Sequence, residues 1–160
     1  MNQVAEICGI PVCYSAFHTG SAEARGFFWN RYILIGPHFM RDGHRVQRAV
    51  LLHEAKHCRA WHLEKRIGCL VAMATPLAFL PLRIVAVALA VGALYFCAAA
   101  FARKNELDAD AFVVAEGYGV DLLEWLKKQM PRDSDFYPSF EKRCAAITRG
   151  LKEGQHEAAA

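Results

Sequence analysis

The chain has 160 residues, of which 54% are apolar and 22% charged, with a formal net charge of +3. That length suits one domain with a modest core, and that apolar content excludes a disordered chain. The charge excess is small, and the basic residues form no run interleaved with aromatics, so a nucleic-acid partner is not expected.

Residues 1–40 read as strands and turns. "ICGIPVCYS" is rich in β-branched residues, "HTGSAEARG" reads as a polar loop, and "NRYILIG" (30–36) reads as a short strand closed by Gly36-Pro37. A small N-terminal sheet is expected. Residues 42–66 carry a helical pattern. Asp42 is placed as its N-cap, and Val46, Val50, His53, His57 and Trp61 fall at steps of three and four on one face.

Residues 67–102 are the least polar part, with Arg83 as their single charge. Pro76 and Pro81 divide the stretch into two arms, and the second, Ile84 to Ala102, approaches the ~20 apolar residues that cross a bilayer. Lys65, Arg66, Arg103 and Lys104 flank it, which places both ends in the cytoplasm by the positive-inside rule. The expectation is a single domain, 1–160, with an inserted membrane hairpin at 67–102 and membrane lipid as a partner. Residues 103–129 return to an amphipathic helix that breaks at Gly117 and Gly119. A proline-bearing loop, a short last helix and a frayed "QHEAAA" tail follow.

The six cysteines, Cys8, Cys13, Cys58, Cys69, Cys97 and Cys144, contain no C-x-x-C pair. The N-terminus lacks the basic and apolar regions of a signal peptide. The cysteines are therefore expected to be reduced and the catalytic part to be cytoplasmic.

The chemistry centres on His53-Glu54-Ala55-Lys56-His57. Residues four apart on a helix project side by side, so both imidazoles can reach one zinc ion. Glu54 lies near the metal without being required to bind it. It can take a proton from a zinc-activated water and pass it to the leaving amine. The bland alternative, two histidines on a core-facing stripe, leaves polar groups in need of partners. A third ligand is offered by "NELDADAF", where Glu106 and Asp110 share a helical face. Glu106 could bind zinc, and Asp110 could hold a ligand histidine by its other ring nitrogen. Asp108 fits a solvated face.

H-E-x-x-H followed by E-x-x-A-D-x-F resembles the membrane gluzincins, the HtpX-like and CAAX-prenyl-endopeptidase-like metallopeptidases, here in a minimal form. The resemblance spans roughly residues 10–150. It implies an α+β fold in which a small sheet packs on zinc-binding helices, with a membrane hairpin between the two motifs. It further implies one Zn2+ per chain on His53, His57 and Glu106, with Glu54 as base and Asp110 behind a ligand. Tyr137-Pro138 to Arg143 is similar to the family's H-P-x-x-x-x-R segment, with tyrosine where histidine is usual. Arg143 and Tyr137 would thus support the site or the transition state. Tyr32 to Gly36 sits where such enzymes keep the edge strand that receives extended substrate.

The function expected is a zinc-dependent, membrane-anchored endopeptidase acting on a protein or peptide, in a bacterial inner membrane, with its site facing the cytoplasm. Two alternatives stand beside it: a soluble regulatory metallopeptidase of the phage-repressor-cleaving kind, and a non-catalytic zinc-containing membrane adaptor. His18, His38, His44, His62 and His156 are expected to face solvent. Phe27-Phe28-Trp29 reads as core or membrane-interface packing.

Overall fold

The structure, a computed structural model, describes residues 2–27, 29–60, 64, 67–68, 71, 84–129 and 136–158. Within them the chain is α+β, a four-stranded sheet followed by helices, in line with the class expected from the sequence.

Strands β1 (Asn2–Ile7) and β2 (Ile10–Tyr14) form an antiparallel hairpin. Its two turn residues, Cys8 and Gly9, both take positive φ, 52° and 77°. Two such residues in succession twist a tight turn in the same sense as the strands it joins. Strands β3 (Ala22–Phe27) and β4 (Asn30–Ile35) form a second antiparallel pair, and β4 then runs parallel to β2. The sheet order is therefore β1-β2-β4-β3.

Two sequence expectations change here. The stretch read as a polar loop contains β3. Its alternation of small and charged residues is the reason, since side chains of a strand alternate between faces. Ala22 and Ala24 share one face, where both pack against the core. Glu23 and Arg25 take the other and pair with each other at 2.8 Å. The strand containing Tyr32 is not an edge: β4 lies between β2 and β3, and the edge on that side of the sheet is β3.

A 3-10 turn at Phe39–Arg41 leads into helix α1 (His44–Arg59). The helix begins after Gly43, not Asp42, and no side chain caps it. Asp42 is instead the extended end of the 3-10 turn, and Gln47 ties the junction by donating to the carbonyls of Phe39 and Asp42. Trp61, assigned from the sequence to the buried face of this helix, lies outside the described residues.

Helix α2 (Ile84–Ala115) is one unbroken element of 32 residues. Gly117, at φ 82°, ends it in the left-handed conformation that glycine tolerates best. Helix α3 (Gly119–Lys128) follows. Helix α4 (Phe140–Ala158), at 19 residues, is longer than the short closing helix expected and takes in most of the tail read as frayed.

The expected membrane hairpin, and with it the placement in a membrane, is overturned: among the described residues, no helix is long and apolar enough to cross a membrane. Most of the first arm and the whole proline turn (72–83) lie outside the described residues. The second arm is not a separate span. It is the start of α2, which runs straight on through Arg103, Lys104, Glu106, Asp108 and Asp110. The orientation towards the cytoplasm rested on that span and falls with it. In the aromatic cluster before β4, Trp29 is 93% exposed, and Phe28 lies outside the described residues.

One core joins the layers. Val12 and Ile33 of the sheet, Val50 and Leu52 of α1, Val113 of α2, Leu122 of α3 and Ile147 of α4 are all fully buried in it. That packing fixes α1 between the sheet and the later helices, and the candidate site residues lie along it.

Candidate metal centre

Helix α1 presents His53 and His57 one turn apart, with Leu52, Ala55 and Cys58 buried around them. The two Nε2 atoms lie 3.1 Å from each other. Glu106 arrives from α2 and faces both. Its Oε2 is 3.4 Å from His53 Nε2, and its Oε1 is 3.4 Å from His57 Nε2. One ligand atom from each of the three residues falls within 4.8 Å of the others, so the group could hold a metal ion. The three residues come from two helices that the sequence places far apart.

Asp110, one turn further along α2, stands behind His53. Its Oδ1 lies 3.0 Å from His53 Nδ1, although the ring N–H direction falls outside ordinary hydrogen-bond alignment. The same carboxylate accepts two hydrogen bonds from Arg143 on α4, Nε to Oδ2 at 2.7 Å and Nη2 to Oδ1 at 2.6 Å. This fork-on-fork pairing fixes both groups in one plane. Arg143 Nη1 also lies 3.7 Å from Glu106 Oε2. One guanidinium therefore steadies the candidate ligand and the residue behind it.

Glu54 points from α1 to the sheet. Its Oε2 accepts a hydrogen bond of 2.8 Å from the backbone N–H of Ala24 in β3.

The electrostatics follow from burial and charge. Burial opposes charging of the His53 imidazole, but Asp110 and Glu106 outweigh it and hold its pKa up at about 10. Burial opposes ionisation of Glu106 too, yet His53, His57 and Arg143 bring its pKa down to about 2. Asp110 is likewise lowered against its burial, chiefly by Arg143 and His53. The Glu54 carboxyl behaves differently. Burial pushes it up to about 7, only partly offset by His53 and the Ala24 N–H. Two buried carboxylates thus flank the His53 imidazole, and the Arg143 guanidinium lies against both of them.

His53, Glu54, His57 and Glu106 line one open cleft of about 790 Å³. One wall is β3, from Ala22 to Gly26. Trp125, Leu126, Tyr137 and Phe140 also line the cleft. Of the residues singled out in the sequence, His53, His57, Glu106, Asp110 and Arg143 meet in one cluster. Glu54 and Tyr137 share the cleft with it.

Some of the lining was not legible beforehand. Arg31 of β4 is largely buried, pairs with Glu64 at 3.0 Å and donates to the Cys58 carbonyl at 2.9 Å. Those partners are remote in sequence, and no local signal marks them. His18, expected to face solvent, lines the cleft with its Nε2 buried. The role of β3 had a signal, the small-charged alternation of "AEARG". Cys8, Cys13, Cys58, Cys97 and Cys144 are free, and burial pushes the Cys58 thiol up to about 11.

No family model, curated protein or solved structure matches the chain.

Proposed function

We propose that this chain is a zinc-dependent peptidase in which His53, His57 and Glu106 hold the metal and Glu54 is the general base. The observation that carries the reading is that one donor atom from each of the three residues lies within 4.8 Å of the others, with the two imidazole Nε2 atoms 3.1 Å apart and each 3.4 Å from one of the two Glu106 oxygens. Atoms bonded to one tetrahedral zinc at about 2.0–2.1 Å sit roughly 3.3–3.4 Å from one another, so a small adjustment of these side chains would seat such an ion. Two imidazoles and a carboxylate are also a donor set suited to zinc.

The open cleft favours catalysis over a purely structural ion. Structural zinc sites are closed by four protein ligands, whereas catalytic ones keep a position free. When bound, the ion supplies Lewis acidity, lowering the pKa of a water and polarising a carbonyl. The chain's own residues do the rest. Asp110 orients His53, and Arg143 holds Asp110 and backs Glu106. Glu54, with its carboxyl near neutrality, is suited to accept a proton and return it to a leaving amine. Tyr137, on the cleft wall, lies where it could contact bound substrate. The pairing of an H-E-x-x-H helix with a second helix bearing the glutamate supports a gluzincin-like arrangement.

The test is metal analysis together with casein cleavage, wild type against Glu54→Gln. The expected result is a single zinc per chain in both proteins and a loss of cleavage of at least about 10²-fold in the variant. A variant that cleaves at the wild-type rate would remove Glu54 from the mechanism. Wild-type protein that neither carries nor takes up zinc would remove the metal.

A further inference from the structure

Strand β3 is an edge strand, and its outward-facing backbone groups can be identified. In an antiparallel pair, alternate residues turn their N–H and C=O towards and away from the partner. Gly36 donates to the Ser21 carbonyl, and Ala22 stands opposite Ile35, so the inward positions are Ser21 and Glu23. Ala22 and Ala24 face away from β4. Among the described residues no strand pairs with that edge. One outward donor is nonetheless engaged, because the Ala24 N–H is bonded at 2.8 Å to the carboxylate of Glu54. The small side chains on this face let α1 come close enough for a glutamate to reach the strand.

A peptide substrate lying in the cleft would run along this wall, and an extended chain gains affinity at a sheet edge through such backbone groups. A carboxylate oxygen and a peptide carbonyl oxygen then compete for one donor. We propose that the Ala24 amide is a positioning group with two alternating partners: the Glu54 carboxylate in the resting protein, and a backbone carbonyl of the docked peptide. Docking releases Glu54 from β3 and frees it for proton transfer in the cleft that holds His53, His57 and Glu106. The base is thereby tethered until a peptide strand is in place. This inference rests on the peptidase reading above.

Two variants separate the possibilities without turnover, since both lack the base. Glu54→Gln keeps a side-chain oxygen that can accept from Ala24, whereas Glu54→Ala does not. The first readout is amide hydrogen exchange by NMR. Ala24 is expected to be protected in the wild type and in Glu54→Gln, and to exchange about tenfold or more faster in Glu54→Ala, with Ile33 and Leu34 unchanged. The second is binding of β-casein, an extended polypeptide, to the zinc-loaded variants. Glu54→Ala is expected to bind it about tenfold more tightly than Glu54→Gln, because nothing competes for the donor. If Glu54→Ala does not fold, Glu54→Asp withdraws the acceptor by one methylene and is expected to give the same exchange result. Equal, measurable affinities, or Ala24 exchange that ignores residue 54, would overturn the competition and leave the peptidase reading standing. Casein that binds neither variant and is not cleaved by the wild type would overturn both.

Discussion

His53 and Asp110 face each other across two helices, with Nδ1 and Oδ1 3.0 Å apart, and the same carboxylate is gripped by Arg143. The arrangement divides labour. The outer ring nitrogen is left facing Glu106 and the proposed metal, while the inner one lies beside a fixed negative charge. A group that only orients a ligand should affect metal affinity without abolishing it. Asp110→Asn is expected to weaken zinc binding by about 10–100-fold, read by competition with a chromogenic chelator. Unchanged affinity would mean that Asp110 serves only Arg143.

Removing that carboxylate altogether has a second cost. Arg143 is buried beside it, and a buried guanidinium stripped of its partner costs about 3–5 kcal/mol. Asp110→Ala should therefore lower the unfolding free energy of the metal-free protein by an amount in that range in a urea titration, well beyond the effect of Asp110→Asn. Similar losses for the two variants would show that the guanidinium finds another acceptor.

The proposed ligands are tested by subtraction. His57→Ala and Glu106→Ala each leave two of the three donors, and the zinc content of the purified protein, measured by mass spectrometry, should fall to near zero in both. Glu106→Ala also takes a carboxylate from His53 and Arg143, so its stability should fall further than that of His57→Ala. A fully loaded Glu106→Ala protein would exclude Glu106 as a ligand.

The cluster makes stability and metal binding depend on pH. In the metal-free protein the His53 pKa is raised from 6.5 to about 10, so its contribution is complete below pH 6.5 and is lost as pH rises through about 10. Glu106 is lowered from 4.5 to about 2, so its contribution is complete above pH 4.5 and is lost as pH falls through about 2. The two together stabilise the metal-free fold most between pH 4.5 and 6.5. Zinc needs His53 unprotonated, so binding at pH 8 should release about one proton from that ring. Calorimetry in buffers of different ionisation heat reads this directly. A binding heat that does not vary with the buffer would mean that His53 carries no proton to release.

The β3–β4 hairpin depends on one glycine. Gly26 has φ 91°, and a Cβ there would lie 1.8 Å from the Asn30 carbonyl oxygen, a backbone atom that cannot simply swing away. Gly26→Ala is expected to destabilise the protein by more than about 1 kcal/mol and to loosen β3. In a peptidase that docks substrate on β3, KM for casein should then rise more than kcat falls. A Tm equal to that of the wild type would show that the hairpin can relax around the methyl.

Much of the centre was legible in the chain because its spacing is local. A four-residue step along a helix puts His53 beside His57 and Glu106 beside Asp110 whatever the rest of the fold does. The ending of α2 at Gly117 is equally local, since it follows from a residue that can adopt positive φ. The misreadings have long-range causes. Ala22 to Gly26 looked polar because Glu23 and Arg25 face solvent, and only pairing with β4 makes the segment a strand. Tyr32 looked like an edge position because nothing in the sequence announces that β2 returns alongside β4. The stretch from Ile84 resembles a membrane span because its apolar run is local, whereas its continuation into the charged half of the same helix is not.

By itself, then, the sequence determined which residues share a helical face and what chemistry they offer, because helix geometry repeats every few residues. Only the tertiary structure decided that Glu106 meets both imidazoles, that Arg143 clamps Asp110, and that Glu54 is held by the Ala24 amide. Those contacts join residues 30 to more than 50 positions apart. They exist because a shared core holds α1 between the edge strand and α2, an arrangement that no local spacing encodes.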